Sequence, residues 1–138
     1  LGCDMSYPKS SKTHFYGTGT ADPLREDITL ISLEAKAARL YALALAQGCE
    51  ITNLSQETSR LIAPRRSLLE PRPKPFKIDK VQKAHALARE QELAYYVASG
   101  RYWEELERFD IEQIKRLDAL WSNVVIEPKE AAALMRGY

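Results

Sequence analysis

Four prolines lie close together near the middle of this 138-residue chain, in the stretch 63–77, Ala-Pro-Arg-Arg-Ser-Leu-Leu-Glu-Pro-Arg-Pro-Lys-Pro-Phe-Lys. Proline lacks the backbone N–H that a helix requires, and it disfavours the helical conformation in the residue before it. The prolines at positions 64, 71, 73 and 75 therefore exclude a continuous helix here. We call residues 63–77 the strap and predict that its backbone is extended.

The strap is also basic. Residues 60–77 include six Arg or Lys and one acid, Glu70, although the formal net charge of the whole chain is only +1. A net charge near zero argues against a dedicated duplex-binding protein, because such proteins carry a broad basic face. Positive charge concentrated on an extended segment instead predicts a local surface for a binding partner.

The segments on both sides of the strap show the three- and four-residue spacing of apolar side chains that is typical of amphipathic helices. This spacing predicts four main helices and a short C-terminal one: 27–47, 53–62, 79–99, 102–122 and a last helix opened by Pro128. No segment shows a sustained period of two, although 124–126 reads as a brief extended run. The sequence thus predicts an all-α fold, two helical hairpins joined by the strap.

The ends of these helices have recognisable signals. Gly48 is placed to end the first helix, because glycine readily adopts the left-handed conformation that follows many helices. Asn53 and Asp79 are predicted N-caps of the second and third helices. The length and the apolar fraction of 45% fit one globular domain, 27–138, preceded by an irregular N-terminal arm, 1–26.

One stretch resembles a repeat family. Residues 93–109 read Leu-Ala-Tyr-Tyr-Val-Ala-Ser-Gly-Arg-Tyr-Trp-Glu-Glu-Leu-Glu-Arg-Phe, and with their flanks, 84–117, they resemble a tetratricopeptide-repeat hairpin. The stretch departs from that pattern by one extra residue before Gly100 and by Glu105, where a small residue is expected. A single copy is visible, whereas a solenoid needs about three repeats. An ordinary antiparallel helical hairpin explains the same residues.

The first three residues, Leu1-Gly2-Cys3, resemble the end of a bacterial lipobox, which implies a lipid on Cys3. A cleaved targeting peptide is the alternative interpretation of this terminus. The cysteines also leave two pairing states open, because Cys3 and Cys49 are either disulfide-bonded or free thiols. We expect a membrane-associated complex, organellar or of the bacterial envelope, as the setting of the protein.

No catalytic constellation emerges from the sequence. The acids of the fourth predicted helix alternate with Arg and Lys, which is typical of a solvated helix face rather than a convergent acid–base pair. His85 has no Ser, Cys or acid at a useful spacing for general-base chemistry. Cysteines and histidines are too scattered for a zinc site. We therefore predict no enzymatic activity, no cofactor, no metal and no small-molecule substrate.

The predicted role is that of a non-enzymatic accessory subunit in a larger protein complex, which binds partners through the N-terminal arm and the strap. Leu68, Leu69 and Phe76 favour docking, because a free linker rarely carries three large apolar residues. The alternatives are a plain linker, contacts of the strap with RNA or anionic lipid phosphates in a ribosome- or RNA-associated subunit, and a lipid-anchored envelope lipoprotein that scaffolds a membrane or secretion machine. The predicted partner-binding residues are Arg65, Arg66, Leu68, Leu69, Arg72, Lys74, Phe76, Lys77, Trp103 and Trp121.

Overall fold

The structure, a computed structural model, describes residues 32–56, 59–99, 101 and 104–126. In these ranges the chain forms three α-helices, a short 3-10 helix and a two-stranded antiparallel sheet. The elements in chain order are α1 Leu33–Ala46, β1 Lys77–Ile78, α2 Lys80–Glu92, the 3-10 helix Leu106–Arg108, α3 Ile111–Ser122 and β2 Val125–Ile126. The predicted all-α fold with four main helices is therefore wrong.

Helix α3 lies at the centre of the packing, because it contacts both α1 and α2. Its Trp121 side chain is only 2% exposed. Alanines on α1 and α2 form much of the surface opposite, and such small side chains let helix backbones approach closely. The buried residues of this main cluster are Ala35, Ala42, Ala86, Leu117, Trp121 and Val124.

The small sheet joins the end of the strap to the segment that follows α3. Lys77 pairs with Ile126 and Ile78 with Val125. The Asp79 N–H extends this pairing by donating to the Val124 carbonyl at 2.9 Å. The extended run predicted at 124–126 is confirmed at Val125 and Ile126, whereas Val124 belongs to the turn after α3. The pairing was not predicted, because strands of two residues are too short to show a periodicity.

Two of the predicted helix ends are confirmed. Gly48 has φ +75°, and it follows α1 in a Schellman arrangement, in which its N–H donates to Leu45 and the Cys49 N–H donates to Ala44, at 3.0 and 2.9 Å. Asp79 caps α2, where its carboxylate accepts from two backbone N–H groups of the first turn. These signals are local, so the sequence was sufficient to place them.

The predicted helix 53–62 is wrong over the residues that the structure describes. The Asn53 backbone pairs with Arg65 in a parallel bridge, and its N–H donates to the Pro64 carbonyl at 2.9 Å. The Asn53 side-chain oxygen accepts from the Ser55 N–H at 2.9 Å. An asparagine that bonds the backbone two residues on favours a turn over a helix.

The third and fourth predicted helices are shorter than expected. Helix α2 ends at Glu92, and Ala94 has a left-handed φ of 46°. Helix α3 begins only at Ile111, because the Asp110 carboxylate caps it by accepting from two backbone N–H groups. The described residues between these helices therefore do not form the tetratricopeptide-like hairpin. The predicted C-terminal helix and the whole arm, 1–26, lie outside the described residues, as does the rest of the chain before Ser32, the N-cap of α1.

Candidate functional site

The strap is held at its beginning by a buried asparagine. Asn53 is 1% exposed, and its side-chain amide donates to the Ser59 hydroxyl at 3.2 Å. The Arg66 N–H donates to the Asn53 carbonyl at 3.1 Å. Burying a polar side chain costs free energy unless it is hydrogen-bonded, so Asn53 is stable only in this arrangement. Its bonds therefore fix the position at which the strap leaves the core.

The strap is held at its end by an aromatic pair. The Phe76 N–H donates to the Tyr41 hydroxyl at 2.8 Å, and the two rings lie 5.8 Å apart at 54°. Ala63, at the other end of the strap, is buried in the same cluster. Burial raises the pKa of Tyr41, the bond from Phe76 lowers it, and the nearby Glu50 carboxylate raises it further; the net direction is upward.

Between these two supports, residues 67–70 form a closed turn, which we call the leucine turn. The Ser67 N–H donates to the Glu70 carboxylate at 2.7 Å, and the Glu70 N–H donates back to the Ser67 carbonyl at 3.3 Å. The Arg66 guanidinium donates to the Glu70 carbonyl at 3.1 Å. At the top of this turn Leu68 and Leu69 are 75% and 98% exposed.

Basic side chains lie on both sides of the leucine turn. Arg65, Arg72, Lys74 and Lys77 are exposed, and the backbone of Lys77 belongs to β1. Arg72 reaches the Glu50 carboxylate at 3.8 Å. Both side chains of that pair are more than half exposed, so it adds little to stability. The exposed leucines and the exposed basic side chains thus belong to the same segment of the chain.

Phe76 and Trp121, two of the predicted partner-binding residues, are both buried. Phe76 is buried against Tyr41, and Trp121 is buried in the main cluster. The Trp121 indole N–H donates to Glu90 at 2.8 Å, while Arg39 binds both oxygens of the same carboxylate at 2.6 and 3.0 Å. The Arg39 guanidinium also lies 5.6 Å from the centre of the indole ring.

The cluster of Arg39, Glu90 and Trp121 joins α1, α2 and α3, and sequence reasoning did not find it. Each residue belongs to a different helix, so no spacing in the sequence connects them. Asn53 and Tyr41 were missed as supports of the strap because their bonding partners, among them Arg66 and Phe76, are distant from them in the sequence. Cys49 is exposed and forms no disulfide within the described residues. Cys3 and Trp103 lie outside the described residues.

A search of the described residues finds no group of three or more His, Cys, Asp or Glu that is arranged to bind a metal ion. None of the helices in that part of the chain is long and apolar enough to span a bilayer. Comparisons with protein-family models, curated proteins and solved structures found no match to this chain.

Proposed function

We propose that this protein is a non-enzymatic accessory subunit that binds another protein through the leucine turn. The observation that carries the proposal is the exposure of Leu68 and Leu69, 75% and 98%, at the top of a turn closed by its own hydrogen bonds. Burying one leucine side chain contributes about 1.5–3 kcal/mol. Two adjacent leucines offer a substantial gain to a partner that covers them.

The turn is organised before any partner arrives. Ser67 and Glu70 bond each other twice, and Arg66 bonds the Glu70 carbonyl. The two supports at Asn53 and Phe76 hold the strap on either side. A preformed binding element loses less conformational entropy on association than a flexible one does. This supports a docking element over the plain linker that the sequence also allowed.

The charges around the turn favour a partner with acidic groups beside an apolar groove. Arg65 and Lys74 are exposed on either side of the leucines. Glu70, the acid of the strap, uses its carboxylate to close the turn. Charges at the edge of an interface mainly accelerate association and exclude like-charged partners. Leucines supply the affinity in this arrangement, and the basic side chains orient the complex.

Two other settings remain as alternatives from the sequence. RNA or anionic lipid phosphates would use the basic side chains, but RNA phosphates gain little from exposed leucines. A lipid anchor on Cys3 would place the protein on an envelope membrane, and an intact mass of the natural protein tests it directly. The proposed setting is a membrane-associated complex, organellar or bacterial.

The test compares the complexes that the tagged protein and its variants form in the source organism. The double variant Leu68→Ser with Leu69→Ser removes the apolar side chains. Val81→Ser is the matched control, because Val81 is 74% exposed but lies on α2. We expect the double variant to lose a stoichiometric partner that the wild type and Val81→Ser retain. A photo-crosslinker at position 69 should attach to the same partner.

Binding of the strap to RNA or to anionic lipid is measured separately. Purified protein is mixed with single-stranded RNA or with vesicles rich in phosphatidylserine, at low and at physiological salt. If binding is lost when Arg65 and Lys74 become alanine, yet the double leucine variant binds normally, the strap is a phosphate-binding segment and the proposal is wrong. An unchanged set of partners in the double leucine variant also overturns it.

A further inference from the structure

A mainly apolar groove lies between α1 and the segment that follows α2. It has a volume of about 340 Å³ and is lined by Lys36, Arg39, Leu40, Glu90, Tyr95 and Tyr96. Two of these side chains, Leu40 and Tyr96, are large and apolar and are 52% and 70% exposed. Removing apolar surface from water is favourable, so the groove suits an occupant with large apolar side chains.

The wall of the groove that follows α2 is held in place by the rest of the fold. The Tyr95 ring packs edge-to-face against Phe109, with ring centres 5.1 Å apart. The Arg108 guanidinium donates to the carbonyls of Ala94 and Tyr96 at 2.8 and 3.0 Å. Binding to a preformed surface costs less conformational entropy than binding to one that must first become ordered.

The charged side chains of the groove face opposite charges. Arg39 binds both oxygens of the Glu90 carboxylate at 2.6 and 3.0 Å. Lys36 lies close enough to Asp118 of α3 for its positive charge to act on that carboxylate. Because these charges balance, the groove selects an occupant by its apolar side chains rather than by its charge.

The chain directly before α1 carries a matching apolar run. Residues 28–31, Ile-Thr-Leu-Ile, lie outside the described residues and precede Ser32, the N-cap of α1. Isoleucine and leucine are among the residue types most often buried in folded proteins. Side chains two residues apart share a face of an extended segment, so an extended backbone would place Ile28 and Leu30 on the same side.

This run is close enough to reach the groove. Ser32 has an extended backbone, φ −138° and ψ 109°, and its hydroxyl accepts from the Ala35 N–H at 3.0 Å. The chain before this cap therefore does not continue the axis of α1. Leu40 lies about 12 Å along the helix from Ser32, at about 1.5 Å per residue. About four extended residues, at roughly 3.3 Å each, cover that distance.

We infer that residues 28–31 fold back along α1 and occupy this groove, where Ile28 and Leu30 cover Leu40 and Tyr96. The covalent link to α1 gives the segment a high effective concentration at the groove, which favours it over a separate chain. The contact sets the direction in which the arm, 1–26, leaves the domain. The groove shares no lining residue with the leucine turn, so each is tested without the other.

Limited digestion of the full chain with trypsin tests the inference, through the rate of cleavage after Arg25. A protease binds several extended residues on both sides of the bond that it cleaves, so a segment held in the groove from Ile28 onward protects this bond. Leu40→Ser and Tyr96→Ser each remove apolar surface from the groove. We expect each to accelerate cleavage after Arg25 about tenfold, because the released form becomes more populated.

Two controls separate release of the segment from other effects. Val81→Ser should leave the rate unchanged, since Val81 is 74% exposed but does not line the groove. Cleavage after Arg89 in α2 and after Arg116 in α3 requires the helices to open, so these two rates report global unfolding. If the wild type is cleaved after Arg25 as fast as Leu40→Ser, the groove does not hold the segment and the inference is wrong.

Variants of the segment test which side chains are bound. Ile28→Ser and Leu30→Ser should accelerate cleavage after Arg25 as Leu40→Ser does, whereas Thr29→Ala should not, because Thr29 lies on the opposite face of an extended segment. Equal acceleration by all three substitutions would contradict the proposed contact.

A photo-crosslinker at position 40 identifies the occupant. We expect a crosslink to residues 28–31 within one chain, in a product of monomer mass. A crosslink between two chains, with cleavage after Arg25 that slows as the protein concentration rises, would show that a second copy covers the groove. A crosslink only to another protein in cells would show that a separate partner does. Either result overturns the inference.

Discussion

The N–H of Phe76 donates a hydrogen bond to the hydroxyl of Tyr41, a residue 35 positions earlier in the chain, at 2.8 Å. This bond joins the strap to α1 at the point where the strap enters β1. It explains how a segment without regular secondary structure keeps a defined path. The exposed part of the strap is therefore displayed from a fixed base.

Tyr41→Phe should lower the free energy of unfolding by about 1–3 kcal/mol, because the buried Phe76 N–H loses its acceptor. Urea unfolding measures the change. Hydrogen exchange at the Phe76 amide should accelerate by more than the global destabilisation requires. Tyr96→Phe is the control, since Tyr96 is largely exposed and should change stability by less than about 0.5 kcal/mol. Equal effects of the two substitutions would contradict the role of the bond.

Glu90→Ala should destabilise the protein by about 2–3 kcal/mol, because the buried Trp121 indole N–H loses its acceptor and Arg39 loses this ion pair. Glu90→Gln should cost less, since the amide oxygen still accepts from the indole. Denaturant unfolding followed by tryptophan fluorescence measures both.

The control for Glu90 is Glu92→Ala on the same helix. Glu92 is mostly exposed and pairs with Arg89 three residues earlier, so its loss should cost less than about 0.5 kcal/mol. If Glu90→Gln lowers the free energy of unfolding as much as Glu90→Ala does, the negative charge of Glu90 contributes more to stability than its hydrogen bond with the indole.

Asp118 makes the stability depend on pH. Burial raises its pKa to about 6, although Lys36 and the Ser32 N–H act in the opposite direction. The folded protein therefore holds this proton more tightly than the unfolded chain does. The stability from this group is complete below about pH 4 and is lost as the pH rises through 6.

The Asp118→Asn side chain cannot ionise, but its amide oxygen can still accept a hydrogen bond from the Ser32 N–H. We expect it to raise the free energy of unfolding at pH 8 by about 1 kcal/mol, a value reduced for the partly exposed position, and to have almost no effect at pH 4. Thermal unfolding across this range measures the difference. Glu107→Gln, at an exposed acid, is the control. A substitution effect that is the same at both pH values would refute the assignment.

Asn53→Ala should cost about 2 kcal/mol, because the buried amide makes bonds with Ser55 and Ser59 that alanine cannot make. The loss should also release the beginning of the strap, so hydrogen exchange at the Arg66 amide should accelerate. Asn123→Ala serves as the control, because the Asn123 side chain is exposed and bonds only its own helix. No preferential change at Arg66 would show that Asn53 does not anchor the strap.

Part of the fold could be predicted from the sequence. Prolines excluded a helix in the strap, Gly48 ended α1, and Asp79 opened α2, because each effect depends on a residue and its immediate neighbours. A further signal was present but was not used. Asp110, followed by Gln113 three residues later, has the spacing of an N-terminal cap, and it marks the start of α3 inside the region predicted as one long helix.

The break before α3 also depends on contacts that the sequence pattern does not show. Phe109 is buried edge-to-face against Tyr95, with ring centres 5.1 Å apart. The Arg108 guanidinium donates to the carbonyls of Ala94 and Tyr96 at 2.8 and 3.0 Å. These bonds stabilise an irregular backbone in place of the helices that the apolar spacing predicted.

The sequence by itself determined that the strap is not helical, that it is basic and that it carries three large apolar side chains. Only the tertiary structure decided their separate uses. Phe76 is buried because Tyr41 supplies both a ring and a hydrogen-bond acceptor, whereas Leu68 and Leu69 are exposed because the bonds of Ser67 and Glu70 turn the chain outward. Similar apolar residues on one segment thus differ in role, since burial depends on partners that are distant in sequence.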